Sequence, residues 1–494
     1  MGTGVGNDRV ARIIMVKARS RTKVAASKPG LAAGEEPGTS WLPRISADRS
    51  VKYTTIASAM AEAIESGKLA EGQRLPPHRD LATQLGVTVA TVTKAIADLA
   101  RKGLLDTRRG AGTFVTRGSA PSPRYPAPAS ALVDLAISRP LAARAAPFLR
   151  DALQAVAADM AEAFGYEVVG GSAAHRRAGV AWVARREVAV AEDEVLLTQG
   201  GNDGLLAALA ATCRQGDAVA CEALNYSGIR RLAQLLGVRL IAVETDDRGM
   251  RADALDAACR AEPVKAVLCT PVTHNPTGAS MNARRIAEIV ACVRRHDAVL
   301  IENDIYGHLS GTLPPILAHL PDRTIHVTSM SKGMSAGLRA GFLVVPRGMA
   351  GQLRDALYAT SWTAPALHGA VAAHLIASGA AWSVIAAQRE EALQRIGLAR
   401  RILGAALATD SRVPCYHIWL SMTEPVSAEE VAGELGRAGI MVAPARSFAL
   451  HDVRVPNALR IGLGAVSERA TLERALHEVA RHIAGAQMSI GAIA

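Results

Sequence analysis

"SMSKGMSAGLRAGF" (Ser329–Phe342) sets Lys332 among serines and glycines, with Arg339 seven positions further on. A lone lysine is ordinarily a solvated one. This stretch is so short of large side chains, however, that it leaves room beside Lys332 for something other than packing. It continues "TIHVTS" (Thr324–Ser329), an apolar, β-branched run that reads as a buried strand. Similar runs, "EVLLTQ", "AVACEA", "AVLCTP" and "VLIEND", alternate with helical patterns from Leu132 to about Ala484. That alternation predicts an α/β fold with a mainly parallel sheet covered by helices.

Three further stretches fall where such strands end. "THNPTG" (Thr273–Gly278) follows one apolar run, and "IENDIYG" (Ile301–Gly307) carries Asp304 and Tyr306 past the end of another. "TQGGNDG" (Thr198–Gly204) joins a strand to a helix, so its backbone amides and the helix dipole suit an anion. Each alone reads far more readily as a turn than as a site. Ligands collect at strand ends in parallel sheets, and the order of the four stretches favours a site.

The chain has 494 residues, enough for two or more domains. A net charge of +11 points to an anionic partner. The six cysteines form no CxxC pair and suggest no metal site by spacing, which fits reduced thiols in the cytoplasm. No apolar run is long enough to span a membrane, and no secretory leader is read. The expected boundaries are a basic, disordered tail or mis-assigned start at 1–45, a small domain at 46–117 and a Pro/Ser-rich linker at 118–131. A large domain at 132–485 and a short tail at 486–494 complete the division.

In the small domain, "YTTIASAMAEAIESG", "HRDLATQLG" and "TVATVTKAIADLARKG" read as three helices, the last with Thr88 as its N-cap. The second and third form a helix-turn-helix, whose second helix can enter a DNA major groove. "LLDTRRGAGTFV" reads as a hairpin with Arg108 and Arg109 at a glycine-rich tip, placed to touch phosphate or the minor groove. From Tyr53 to Val115 the chain resembles the winged helix of the GntR family of bacterial regulators. Val89 stands where that family often carries an arginine. The resemblance therefore leaves base reading to Thr88, Thr91, Thr93 and Lys94, with Arg79 and Arg108 on the DNA backbone.

The residues after the linker resemble the fold-type I, class I/II aminotransferases, with a smaller C-terminal α/β subdomain. The resemblance implies pyridoxal 5′-phosphate as cofactor, Lys332 as its Schiff-base lysine and Asp304 as partner of the pyridine nitrogen. It also places Asn275 and Tyr306 at the ring phenolate and Tyr226 on the ring face. Gly201, Asn202, Ser329 and Arg339 would hold the phosphate, with Tyr166 contributed by a second subunit of a homodimer. Arg460 would clamp a substrate carboxylate. Ala336 and the stretch "EALN" depart from the family pattern without removing a chemical group.

A GntR-type reader joined to an aminotransferase-like domain resembles the MocR subfamily of transcriptional regulators. That implies a regulator that binds a double-stranded operator and senses an amino-group effector. A working aminotransferase with an appended DNA-binding domain, and an aminotransferase whose appended domain is degenerate, are the other readings. Amino acids, taurine-like sulfonates and pyridoxal phosphate itself all remain open as effectors.

Overall fold

The computed structural model describes residues 53–65, 68–70, 72–101, 104–108, 112–115, 133–159, 164–404, 413–450 and 453–491. The expected N-terminal tail, the linker and Arg109 lie outside the described residues. The chain divides into two compact units, Met1–Ala127 and Pro128–Ala494.

The first unit contains helices α1 (Tyr53–Glu65), α2 (His78–Leu85) and α3 (Val89–Arg101), then strands β1 (Leu105–Arg108) and β2 (Gly112–Val115). Val92, Ala95, Ile96 and Leu99 recur at helical spacing along α3 and pack with Ile56, Met60 and Leu81 into one core. Helix α2 stops at Gly86, whose φ of 65° is the left-handed conformation in which glycine carries no Cβ penalty. Thr88 begins α3 as read, its hydroxyl accepting from the Thr91 amide at 3.2 Å. The two strands pair antiparallel, with Arg108 opposite Gly112.

In the second unit the strands are β3 (Val133–Asp134), β4 (Val195–Thr198), β5 (Ala218–Glu222), β6 (Arg239–Val243), β7 (Thr245–Asp246), β8 (Gly249–Met250) and β9 (Val264–Cys269). They continue with β10 (Val299–Asn303), β11 (Thr324–Ser329), β12 (Gly341–Val344), β13 (His417–Ser421), β14 (Ile440–Met441), β15 (Ala443–Pro444) and β16 (Ala458–Gly462). Seven of them form one sheet in the order β4-β12-β11-β10-β9-β5-β6. Within it only the pairings made by β12 are antiparallel. Every residue of β4, β5, β11 and β12 is buried, as a sheet covered on both faces requires.

The helix Gly201–Thr212 rests directly on this sheet. A Cβ at Gly204 would lie 3.0 Å from Val327 and 3.2 Å from Leu343, so the missing side chain sets the approach. A smaller three-stranded sheet, β13-β16-β15, forms a second core with the helices Ala428–Arg437 and Arg469–Gly491. The last helix runs beyond the boundary read at 485. Glu391, on the long helix Ala380–Leu403, joins these parts. It accepts from Arg144, Arg395 and Arg469, and Arg469 foremost holds its carboxyl down to about 2.

Candidate functional site

Strands β4, β9, β10 and β11 run the same way, so their C-terminal ends share one edge of the sheet. Residues read from four separate stretches of sequence converge there. Past β11, Ser329 caps the short helix Met330–Gly333, which carries Lys332. The Lys332 amine donates to the Ser138 carbonyl and lies 5.6 Å from the centre of the Tyr306 ring. Burial, and secondarily the charge of Arg460, pushes this amine down to about 8. A lysine so depressed is neutral in a substantial fraction near physiological pH, which makes it a nucleophile.

Asp304 follows β10 and is fully buried. Its Oδ2 lies 3.4 Å from Nε of Arg186 and 3.9 Å from Nε2 of His326, while its Oδ1 has no hydrogen-bond partner. Burial raises the carboxyl to about 6, against the lowering pull of Arg186 and His326. Behind it, Nδ1 of His326 shares a 2.8 Å bond with Glu302. Burial alone would lower this imidazole, but the carboxylates of Glu302 and Asp304 lift it above its ordinary value. An orphaned carboxylate oxygen backed by cations suits a ligand that brings its own N–H donor.

The anion cradle lies past β4. The helix Gly201–Thr212 begins at Gly201 and Asn202, following Gly200 with a φ of 90°. A Cβ at Gly200 would stand 3.1 Å from the guanidinium of Arg339, so glycine permits that close approach. Arg339 itself is exposed and donates to the Gln199 carbonyl at 2.9 Å. The buried Ser329 hydroxyl sits across from it, hydrogen-bonded to the Ala340 carbonyl at 3.2 Å. Helix amides, a hydroxyl and a guanidinium are the usual donors to a phosphate.

The remaining predicted residues close the site from other elements. Asn275 accepts from Nη1 of Arg460 at 2.7 Å. Arg460 is buried on β16, lies 4.5 Å from the centre of the Phe448 ring and donates also to the Ala136 carbonyl. Its Nε has no partner, and burial lowers the guanidinium to about 10. The Tyr306 hydroxyl is 2.6 Å from Ser138 Oγ, and burial foremost places its pKa above the ordinary phenol value. Tyr226 caps the helix Ser227–Leu236 and is half exposed. Tyr166 is 96 % exposed, its ring 6.2 Å from that of Trp362.

Sequence reasoning missed Arg186, Ser138, His326 and the buried His417, whose Nδ1 lies 3.2 Å from Ser138 Oγ. Arg186 reaches Asp304 from 118 positions away, and Ser138 reaches Tyr306 across 168. Neither sits in a recognisable stretch, so only the folded contact shows them. Glu222 was also missed; it is fully buried, accepts from the Thr270 amide and Asn225, and burial raises it to about 7.

In the small unit, Arg79, Thr88, Thr93 and Lys94 are exposed. Thr93 shares a 3.1 Å hydrogen bond with His78, and the Lys94 ammonium lies 4.4 Å over the Tyr53 ring. Thr91 was expected on the open face of α3. It is partly exposed there, its hydroxyl bonded to that of Thr88 at 2.9 Å in the first turn of the helix. Of Arg108, only the backbone position at the end of β1 is described.

Comparison with known proteins agrees with this architecture. Residues 130–479 match the family "Aminotransferase class I and II", and residues 52–115 match "Bacterial regulatory proteins, gntR family". The chain belongs to the class I and II aminotransferase family, a pyridoxal-phosphate-dependent group. With its GntR-type helix-turn-helix it has the composition typical of MocR-type transcriptional regulators. It is 28 % identical over 442 residues to the HTH-type transcriptional regulator YdeF of Bacillus subtilis, covering 88 % of this chain and 95 % of that one. It is 28 % identical over 433 residues to the HTH-type transcriptional regulator TauR of Rhodobacter capsulatus, covering 79 % and 88 %. The pyridoxine biosynthesis regulator PdxR of Corynebacterium glutamicum is 30 % identical over 312 residues, covering 59 % and 66 %. Among solved structures, kynurenine aminotransferase of Pyrococcus horikoshii superposes with a TM-score of 0.67 at 21 % identity, over 72 % of this chain and 92 % of that one. That likeness is one of fold.

Among the described residues, no single helix is long and apolar enough to cross a membrane.

Proposed function

We propose that the chain is a pyridoxal-phosphate-dependent transcriptional regulator whose large domain senses an amino-group compound and whose winged helix binds an operator. The observation that carries this reading is one edge of the sheet that gathers a depressed lysine, a buried carboxylate with an unpaired oxygen and a phosphate-type cradle. The three features fit the cofactor at its aldehyde, its pyridine nitrogen and its phosphate.

When bound, pyridoxal phosphate supplies an aldehyde that exchanges one amine for another and a ring that withdraws electrons. Lys332 would hold the aldehyde carbon with its amine. Asp304, ionised and backed by Arg186 and His326, would keep a proton on the pyridine nitrogen. Asn275 and Tyr306 would orient the ring from its oxygen edge, and Tyr226 would cover one face. Gly201, Asn202, Ser329 and Arg339 would hold the phosphate. Arg460 would present its planar fork to a carboxylate or another anion on the incoming amine.

An effector changes operator affinity only if it favours one of two arrangements that bind DNA differently. A homodimer suits this role. Tyr166, Trp362 and Tyr358 form an exposed aromatic cluster, with the rings of Tyr358 and Trp362 4.7 Å apart, and a second subunit would cover it. Enzymatic turnover is a second reading, favoured by the presence of Lys332 together with Arg460.

The deciding experiment screens amines against purified holoprotein by visible absorbance while following binding to operator DNA. A compound that shifts both is the expected result. A spectral shift with keto-acid release, and equally weak binding to operator and scrambled DNA, would leave the enzyme and remove the regulator.

A further inference from the structure

Two helices away from the cofactor pocket, Ala252–Ala261 and Ala283–Arg295, pack side by side over the core that contains Leu255, Ile289 and Val293. Cys259 lies near the end of the first, and Cys292 near the end of the second, with His296 just past it. The two sulfurs and one imidazole nitrogen all lie within 4.8 Å of one another. The cysteines are 33 positions apart in the chain, so spacing shows no such group. Sequence analysis assigned no metal ligands, because the pairing arises only when the helices pack.

We propose that Cys259, Cys292 and His296 form a binding site for a zinc-class divalent cation, with Asp256 as the residue that positions the imidazole. Two thiolates and an imidazole are the ligand types that select zinc and its softer neighbours over magnesium or calcium. Two thiolates neutralise the dication, and binding releases their protons. Cys292 is buried, while Cys259 and His296 are half-buried and reach the surface. Water completes the fourth position from that side.

Asp256 supports the site as carboxylates support histidine ligands elsewhere. Its Oδ1 is 2.8 Å from Nε2 of His296 and 2.7 Å from Arg295, and its Oδ2 accepts from Arg260. The carboxylate is thereby fixed, and with it the ring. Cys259 is the one cysteine of the six that is not buried, so the thiol most accessible to an ion is also the one in this cluster. A bound cation would pin the two helices together at their C-terminal ends.

The test uses full-length protein, stripped with a chelator, kept reduced with a phosphine and titrated with cobalt(II). One cobalt per chain should bind with a near-ultraviolet thiolate-to-metal absorption that one equivalent of zinc bleaches. Cys259→Ser and Cys292→Ser should each abolish that absorption, with far-ultraviolet circular dichroism reporting that each variant is folded. Asp256→Asn should keep it and weaken binding about tenfold. Cys259 sits on a half-buried surface position, so its variant remains informative if Cys292→Ser fails to fold. Absence of the absorption in the wild type, or its persistence in Cys259→Ser, would overturn the proposal. So would a reduced protein that binds no cobalt while air oxidation joins Cys259 to Cys292, since the pair would then be a redox dithiol.

Discussion

Nη1 of Arg460 donates to the side-chain oxygen of Asn275 across 2.7 Å, tying β16 to the loop that follows β9. The residue proposed to clamp an effector's anion therefore touches the residue proposed to orient the cofactor ring. Arg460→Gln should leave pyridoxal phosphate bound, because Lys332 and the phosphate cradle remain. It should weaken binding of amino acids roughly ten- to hundredfold, the effect of losing a hydrogen bond to a charged group. Spectral titration of the holoprotein with a carboxylate-bearing amine, and with the same amine lacking the carboxylate, measures this. Equal weakening for both amines would mean that Arg460 does not read the anion.

Lys332 provides a pH dependence. Its amine is pushed down to about 8, and only the neutral form attacks an aldehyde. The rate of cofactor capture by the apoprotein should rise as pH climbs through about 8, rather than through the roughly 10.4 of a solvated lysine. Arg460→Gln removes a neighbouring positive charge and should move that midpoint upward. Rapid-mixing absorbance over a pH series gives the profile. Lys332→Ala should show no covalent capture at any pH.

The buried pair Arg186 and Asp304 makes a stability prediction. Asp304 is raised to about 6 in the fold against an ordinary 3.8, so its ionisation costs stability as pH rises through that interval. Arg186→Met leaves the carboxylate without its nearest cation and should destabilise the apoprotein by about 3 kcal/mol. Losing that cation raises Asp304 further, so the deficit should be larger at pH 8 than at pH 5. Urea denaturation of wild type and variant at both values decides it. A deficit that shrinks as pH rises would contradict the assigned charge pair.

For DNA, the small unit separates two kinds of contact. Arg79→Ala and Arg108→Ala should each weaken binding to all sequences and reduce the salt slope by about one, since one fewer phosphate is neutralised. Thr93→Ala should relax preference at one or two base pairs, with little change in slope. Thr88→Ala removes the N-cap hydroxyl that accepts from the Thr91 amide, so it should also lower the stability of the winged helix by about 1 kcal/mol. Salt titrations on operator and scrambled DNA, with thermal unfolding of each variant, distinguish these effects. A Thr93→Ala variant with unchanged sequence preference would remove that residue from base reading.

Several features were determined by the sequence alone because they depend on neighbours in the chain. The apolar runs of β4, β5, β9, β10 and β11 alternate with helical patterns, and a right-handed connection between parallel strands leaves few ways to stack them. Gly200, Asn275, Asp304 and Lys332 each fall just past such a run, so their shared edge follows from the strands being parallel. Thr88 and Gly86 bound their helices through local backbone geometry. Tertiary structure alone decided which distant side chains complete the groups. Arg186 and His326 meet at Asp304, and Ser138 meets Tyr306, because the sheet order places β11 beside β10 and brings the segment after β3 across the site. Cys259 and Cys292 adjoin for the same kind of reason, through two helices packed on one face. Periodicity records which face of an element is buried; it carries no information on what lies opposite, which is settled only when the elements pack together.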